Sequence, residues 1–144
     1  MESKLYIRDG KRFKYVPNMI GAYWNGTILT KERMQDSIAV VIEQHYDHVV
    51  MASLEMSKQM SWNDAKEWCK KQFFAGKGRL PSKRELISLS NYIDLISSIW
   101  GEEYDNLFAW YLSWINRSIR NTYKIDYGFV RTIAVIDIPI LNLI

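Results

Sequence analysis

The stretch SWNDAKEWCKKQFFAGKGRLPSKREL, from Ser61 to Leu86, contains two helix starts in quick succession. Ser61 precedes Asp64, and Ser82 precedes Glu85, each at the spacing of an N-cap hydroxyl and a first-turn carboxylate. Turning about 100° per residue places Trp62, Ala65, Trp68, Cys69 and Phe73 on one face of the first helix. Asn63, Asp64, Lys66, Glu67, Lys70 and Lys71 fall on the other. Cys69 therefore sits on the buried side beside two indoles. Pro81 stands just before the second helix, whose apolar stripe is Leu86, Leu89 and Ile93.

Both flanks of this helical pair read as β-structure. Asp9-Gly10 separates Leu5-Tyr6-Ile7 from Phe13-Lys14-Tyr15-Val16, and Asn25-Gly26 separates Tyr23-Trp24 from Thr27-Ile28-Leu29. Each joins a turn dipeptide to β-prone neighbours. Ser37 to Ile42 and Val49 to Leu54 are apolar runs joined by Glu43 to His48, the pattern of a longer-looped hairpin at a sheet centre. Beyond Trp100, Ala109 to Ile115 and Phe129 to Ile138 read as strands around a polar stretch, Asn116 to Asp126. Hairpins, two helices, then strands is not the alternation of a parallel α/β sheet. The expected class is α+β with a mainly antiparallel sheet and two helices.

With 144 residues, 48% hydrophobic and 14% aromatic, the chain is of a size to form one domain, 1–144, around its own core. The net charge of +3 permits an acidic partner but is not a nucleic-acid footprint. The single cysteine excludes an intramolecular disulfide. The first residues alternate charges and aromatics without an apolar core, and no run reaches the length of a membrane helix, so neither an export leader nor a membrane span is expected.

The motifs SWNDAKEWC and GRLPSKREL together resemble the two-helix signature of C-type-lectin-fold domains, in particular the Lcl C-terminal-like family of gut bacteria and their phages. AYWNGT and SIAVVI…HVVMASLE are similar to that family's opening hairpins, IWGEEYDNLFAWYL to its run into an Ala-Trp-Tyr strand, and GFVRTIAVI to its closing strand. The resemblance spans roughly residues 20 to 138 in the right order. Gly101-Glu102 stands where the family has two serines, Gly78 where a tryptophan often precedes Arg79, and Thr132 where it has proline.

Cys69, two turns into an apolar face, reads as packing rather than a nucleophile. A related fold, that of formylglycine-generating enzymes, depends on paired cysteines that a one-cysteine chain lacks, so no enzyme activity is expected. His45 and His48 form a His-x-x-His without a companion ligand cluster, and Trp62 to Asp64 mimics a lectin sugar-binding triplet but caps a helix. No metal and no cofactor are expected. The basic run Lys66, Lys70, Lys71, Lys77, Arg79, Lys83 and Arg84 reads as a solvated helix face diluted by Glu67 and Glu85, not as a phosphate grip. Arg79 reads as structural, reaching back to a carboxylate or to carbonyls at the turn.

Asn116 to Asp126 mixes the Asn, Ser, Arg and Tyr of recognition loops and lies where C-type-lectin folds present variable ligand loops. It reads equally as a polar hairpin tip. As a recognition loop, its binding residues would be Asn116, Arg117, Arg120, Asn121 and Tyr123. The resemblance implies a non-enzymatic domain that binds another protein or a glycan, with a phage virion component first: a tail, fibre or decoration protein, with homo-oligomer or virion assembly as a further partner. A bacterial surface or secreted adhesin is second, and an intracellular nucleic-acid-binding module third. The apolar tail Ile138 to Ile144 is expected to pack on the first hairpin near Leu5 and Tyr15, or on another subunit.

Overall fold

The computed structural model describes residues 5–9, 12–73, 76–126 and 128–144. In chain order they form β1 (Leu5–Asp9), β2 (Arg12–Val16), β3 (Tyr23–Trp24), β4 (Leu29–Thr30), β5 (Ala39–Gln44) and β6 (His48–Ser53). Helices α1 (Trp62–Lys70) and α2 (Lys83–Leu89) follow. Then come β7 (Ser98–Glu103), β8 (Phe108–Leu112), β9 (Ile119–Tyr123), β10 (Val130–Arg131), β11 (Val135–Pro139) and a 3-10 turn, Ile140–Asn142. Three sheets result: the hairpin β1-β2, a five-stranded sheet β11-β6-β5-β3-β4 and a four-stranded sheet β10-β7-β8-β9. All pairings are antiparallel except β10 with β7. This is an α+β architecture, and none of its described helices is long and apolar enough to cross a membrane.

The apolar runs of β5 and β6 lie inside the five-stranded sheet and feed two cores, because successive side chains of a strand point to opposite faces. Val41, Val49 and Met51 pack with Trp62, Ala65 and Cys69 of α1 and with Trp100. Val40, Ile42, Val50 and Ala52 pack with Leu86 and Leu89 of α2. A bulge between Val41 and Glu43 moves Glu43 opposite Val50 and so toward α2, where Ser88 and Arg84 bond its carboxylate.

Both helix starts form as their sequences dictate. The Ser61 side chain accepts from the Asp64 N–H, and Ser82 with Glu85 makes a complete capping box. Two indoles tie α1 to the second sheet: Trp62 Nε1 donates to the Gly101 carbonyl at 2.9 Å, and Trp100 Nε1 to the Met60 carbonyl at 2.8 Å. Two glycines stand where a side chain would clash. A Cβ on Gly78 would overlap the Cys69 carbonyl oxygen, and one on Gly101 would lie 2.5 Å from Leu86 Cδ1. The Thr132 N–H donates to Ser57 Oγ at 2.8 Å, a bond a proline there would forfeit.

The hairpins around Asp9-Gly10 and Asn25-Gly26 form, with Asp9 opposite Arg12 and Trp24 opposite Leu29. Gly10 itself lies outside the described residues. Three expectations need correction. The Glu43 to His48 connection shrinks to His45-Tyr46-Asp47, since Glu43, Gln44 and His48 belong to the strands. Phe129 to Ile138 is not one strand: β10 joins β7 in one sheet and β11 joins β6 in the other. Ser57 and Ser53 hydroxyls accept from Thr132 and Ala134 at the crossing, replacing ladder bonds. Asn116 to Asp126 is not a loop, because it contains β9. The tail packs on the chain's own core through Ile140, fully buried, whose N–H donates to Asp47 O, with Leu143 against the same cluster. The side chains of Leu5 and Tyr15 lie outside the described residues.

Candidate functional site

The side chains with chemical potential divide into those committed to architecture and those presented to solvent. Cys69 belongs to the first group: it is fully buried, and burial pushes its thiol from 9.0 up to about 12. A thiol so placed is a packing group. Arg79 is a second fixed point. Its guanidinium forks onto Glu85, with Nη1–Oε1 2.7 Å and Nη2–Oε2 2.9 Å, and also reaches Asp137 at 2.8 Å. These bonds, led by Glu85, raise the Arg79 pKa against the opposing effect of burial. Burial alone would push the Glu85 carboxyl up; the Arg79 bond and the Ser82 N–H outweigh it and hold the group below its ordinary value. Arg79 thereby pins the start of α2 to β11.

The two histidines stand at either end of one connection, His48 as the first residue of β6. Their rings stack with centroids 4.7 Å apart, His45 Nε2 bonds Glu43 Oε1 at 2.9 Å, and His48 Nδ1 bonds Asp47 Oδ1 at 2.7 Å. The His48 bond lowers the exposed Asp47 carboxyl. Among the described residues, no group of three or more His, Cys, Asp and Glu is placed to hold a metal ion. Of the basic run, Arg79 is spent on Glu85 and Asp137, Arg84 bonds Glu43, Lys70 bonds Glu67, and Lys66 lies over the Trp62 ring.

A cluster of aromatic side chains lies on β8 and β9. Their register sets Phe108 opposite Tyr123, Trp110 opposite Asn121 and Leu112 opposite Ile119, so these six share one sheet face. At its inner end Leu112 joins the core under α2, with Ile119 packed against it. Toward the β7-β8 turn the face opens. Tyr104 meets the Trp110 ring edge-on at 4.9 Å, Phe108 stacks with Tyr123 at 4.6 Å, and Lys83 Nζ lies 4.2 Å from the Trp110 centroid. Tyr104 and Tyr123 are each 53% exposed, and Leu107 also stands in solvent. Lys83 is shared with an open groove of about 590 Å³ along the first turn of α2, lined also by Arg79, Ser82, Arg84 and Glu102.

The five residues expected to bind ligand do not converge. Asn121 and Tyr123 lie on this aromatic face, whereas Arg120 alternates to the opposite one, alongside Tyr111 and Thr122. Asn116 and Arg117 form the β8-β9 turn with Ser118. Asn116 Oδ1 accepts from the Ser118 N–H and hydroxyl, and Arg117 adopts φ 55°, the left-handed region that favours glycine. Arg120 Nε donates to Ser118 Oγ and so belongs with the turn. Tyr104 and Trp110 were not among the sequence candidates, and Lys83 figured only in the basic run. The available signal was an aromatic alternating with buried Ala109, preceded by the turn Tyr104-Asp-Asn-Leu107, where Asp105 Oδ1 accepts from Leu107 and Phe108 N–H groups.

No family model and no curated protein matches the chain.

Proposed function

We propose that the chain is a non-enzymatic recognition domain of C-type-lectin type, binding a glycan or a protein surface through the β8-β9 face. The observation that carries this reading is the set Trp110 and Tyr123 on paired strands and Tyr104 on the turn before β8, with the Asn121 amide and the Lys83 ammonium among them. Rings fixed on a rigid sheet offer flat apolar area at low entropy cost, suited to the C–H face of a sugar or an apolar side chain. The amide and ammonium add directional bonds. The chain's only thiol is sealed in the core, away from this face.

Support for the C-type-lectin assignment is the order of parts: opening hairpins, two capped helices, a second sheet, and a last strand returning to the first sheet. The chain acts in this reading as a phage virion component, a tail, fibre or decoration protein meeting the host; the resemblance to surface-recognition domains supports that role. The test has two arms. On a glycan array, the native chain should bind a restricted set of sugars, and Tyr104→Ala/Tyr123→Ala should lose that signal. Antibody against the chain should label intact purified particles; soluble chain with unlabelled particles would remove the virion assignment.

A further inference from the structure

The outer edge of β9 has properties that the other edges of the two larger sheets lack. Among the described residues, β9 ends the four-stranded sheet. Two bonds fix the phase of its ladder: Ser113 N–H donates to Ser118 O at 2.8 Å, and Lys124 N–H to Leu107 O at 2.9 Å. In an antiparallel pair such positions alternate, so Ser118, Arg120, Thr122 and Lys124 turn their backbone groups toward β8. Ile119, Asn121 and Tyr123 turn theirs away from it. The Tyr123 carbonyl accepts from Asp126 N–H, leaving the Tyr123 N–H and both groups of Ile119 and Asn121 as a row pointing outward.

At the other edges of the two larger sheets, pairing is blunted in the ways that protect sheets. Arg79 bridges the outer side of β11, exchanging N–H and C=O with Val135 at 2.9 Å each, and β11 ends in Pro139. β4 and β10 are two residues long. β9, by contrast, runs five residues, IRNTY, with neither proline nor glycine.

The geometry points to β9 as a self-pairing edge, joining a second copy of this chain in antiparallel register with Asn121 opposite Asn121. Charge selects that centre. Centring on Asn121 pairs all five strand residues, with Ile119 opposite Tyr123 and Arg120 opposite Thr122. Moving the axis one residue toward Ile119 sets Arg120 directly against Arg120, and one residue toward Tyr123 sets it against Lys124. Like charges in direct opposition destabilise a strand pair, while an aromatic facing a β-branched residue stabilises it. A two-fold axis uses the same patch twice, so each Ile119–Tyr123 contact is made twice. Because Asn121 and Tyr123 share a face with Trp110, pairing also merges the aromatic faces of both copies into one surface across the axis. Such a surface engages a repetitive partner at two points.

Dimerisation is measured without ligand, so its outcome is independent of what the aromatic face binds. The native chain should move from the 17.0 kDa mass to twice that value with rising concentration in sedimentation equilibrium. Asn121→Pro removes an outward N–H and no bond to β8, so it should keep the circular dichroism spectrum while abolishing the dimer. Under mild oxidation Asn121→Cys should cross-link between copies, since directly paired Cα atoms lie about 5.5 Å apart, whereas Arg120→Cys should not. A chain that stays at 17.0 kDa at every concentration, or a dimer that survives in folded Asn121→Pro, overturns the inference. If the proline variant does not fold, the cysteine pair decides: equal cross-linking at both positions refutes the register and with it the pairing.

Discussion

Removing the Arg79 side chain should show how strongly the fold depends on one guanidinium. Glu85 is the reason, since its side chain is only 4% exposed while Arg79 is 37% and Asp137 48% exposed. Stripping the partner from a buried carboxylate costs about 3–5 kcal/mol when both ions are buried. Arg79 is partly solvated, and the Ser82 N–H still donates to Glu85 at 2.8 Å, so screening reduces the cost of Arg79→Ala to about 2–3 kcal/mol. Asp137→Asn breaks only the more exposed arm and should cost less than about 1 kcal/mol. Arg79→Lys keeps the charge without the two-pronged geometry and should fall between them. Urea unfolding monitored by tryptophan fluorescence measures all three, and Arg79→Ala combined with Glu85→Gln should cost less than the sum of the single changes, because the carboxylate left unpaired is no longer charged. If Asp137→Asn destabilises as much as Arg79→Ala, or the two changes at Arg79 and Glu85 simply add, the buried arm is not the important one.

The same carboxyl predicts an acid limb. Its folded-state pKa lies below the ordinary 4.5, so its contribution is full above that pH and fades as pH falls through the lowered value. Glu85→Gln should flatten that part of the stability profile; an unchanged acid limb would assign it to other groups. Cys69 predicts the opposite sign: burial raises its thiol from 9.0 to about 12, so the stability it contributes is whole below pH 9.0 and is lost as pH rises toward 12. Cys69→Ala should lose about 1 kcal/mol at neutral pH and show a shallower alkaline decline, and the native thiol should resist labelling until the protein unfolds. Rapid labelling of folded protein would contradict its placement. Thr132 Oγ1 is buried without a hydrogen-bond partner among the described residues, so Thr132→Val should stabilise by about 1 kcal/mol in thermal melts, provided the Thr132 N–H keeps its bond to Ser57. A loss of stability would mean that the hydroxyl has a partner.

The parts of the fold legible in the sequence are those encoded locally. Ser61 and Ser82 announce their helices because a cap needs only a hydroxyl and the next turn. Val40 to Ile42 and Val49 to Ala52 announce core strands because burial on both faces demands continuous apolar residues. β9 was hidden for the converse reason. An edge strand with much of its surface in solvent needs few apolar residues, so Ile119-Arg-Asn-Thr-Tyr123 reads as a polar loop. The division of Phe129 to Ile138 between two sheets depends on Ser53 and Ser57, far away in sequence, accepting from Ala134 and Thr132. Strand alternation then explains the dispersed site: Arg120 and Asn121 are neighbours in the chain and lie on opposite faces of the sheet. The basic run looked uniform for a similar reason, because its partners Glu43 and Asp137 come from other strands.

The most direct test of the recognition claim compares two surface variants of the chain in binding to intact bacterial cells of the candidate host. Tyr104→Ala/Tyr123→Ala removes two half-exposed rings from the β8-β9 face, and Asn116→Ala/Arg117→Ala/Arg120→Ala empties the turn and the opposite face. Buried-anchor aromatics at interfaces typically contribute 2 kcal/mol or more, so the first variant should bind at least about tenfold more weakly than native chain while melting at nearly the same temperature. The second should bind almost as native. Equal binding by native chain and the tyrosine variant, or loss confined to the turn variant, would contradict the aromatic face as the site of recognition.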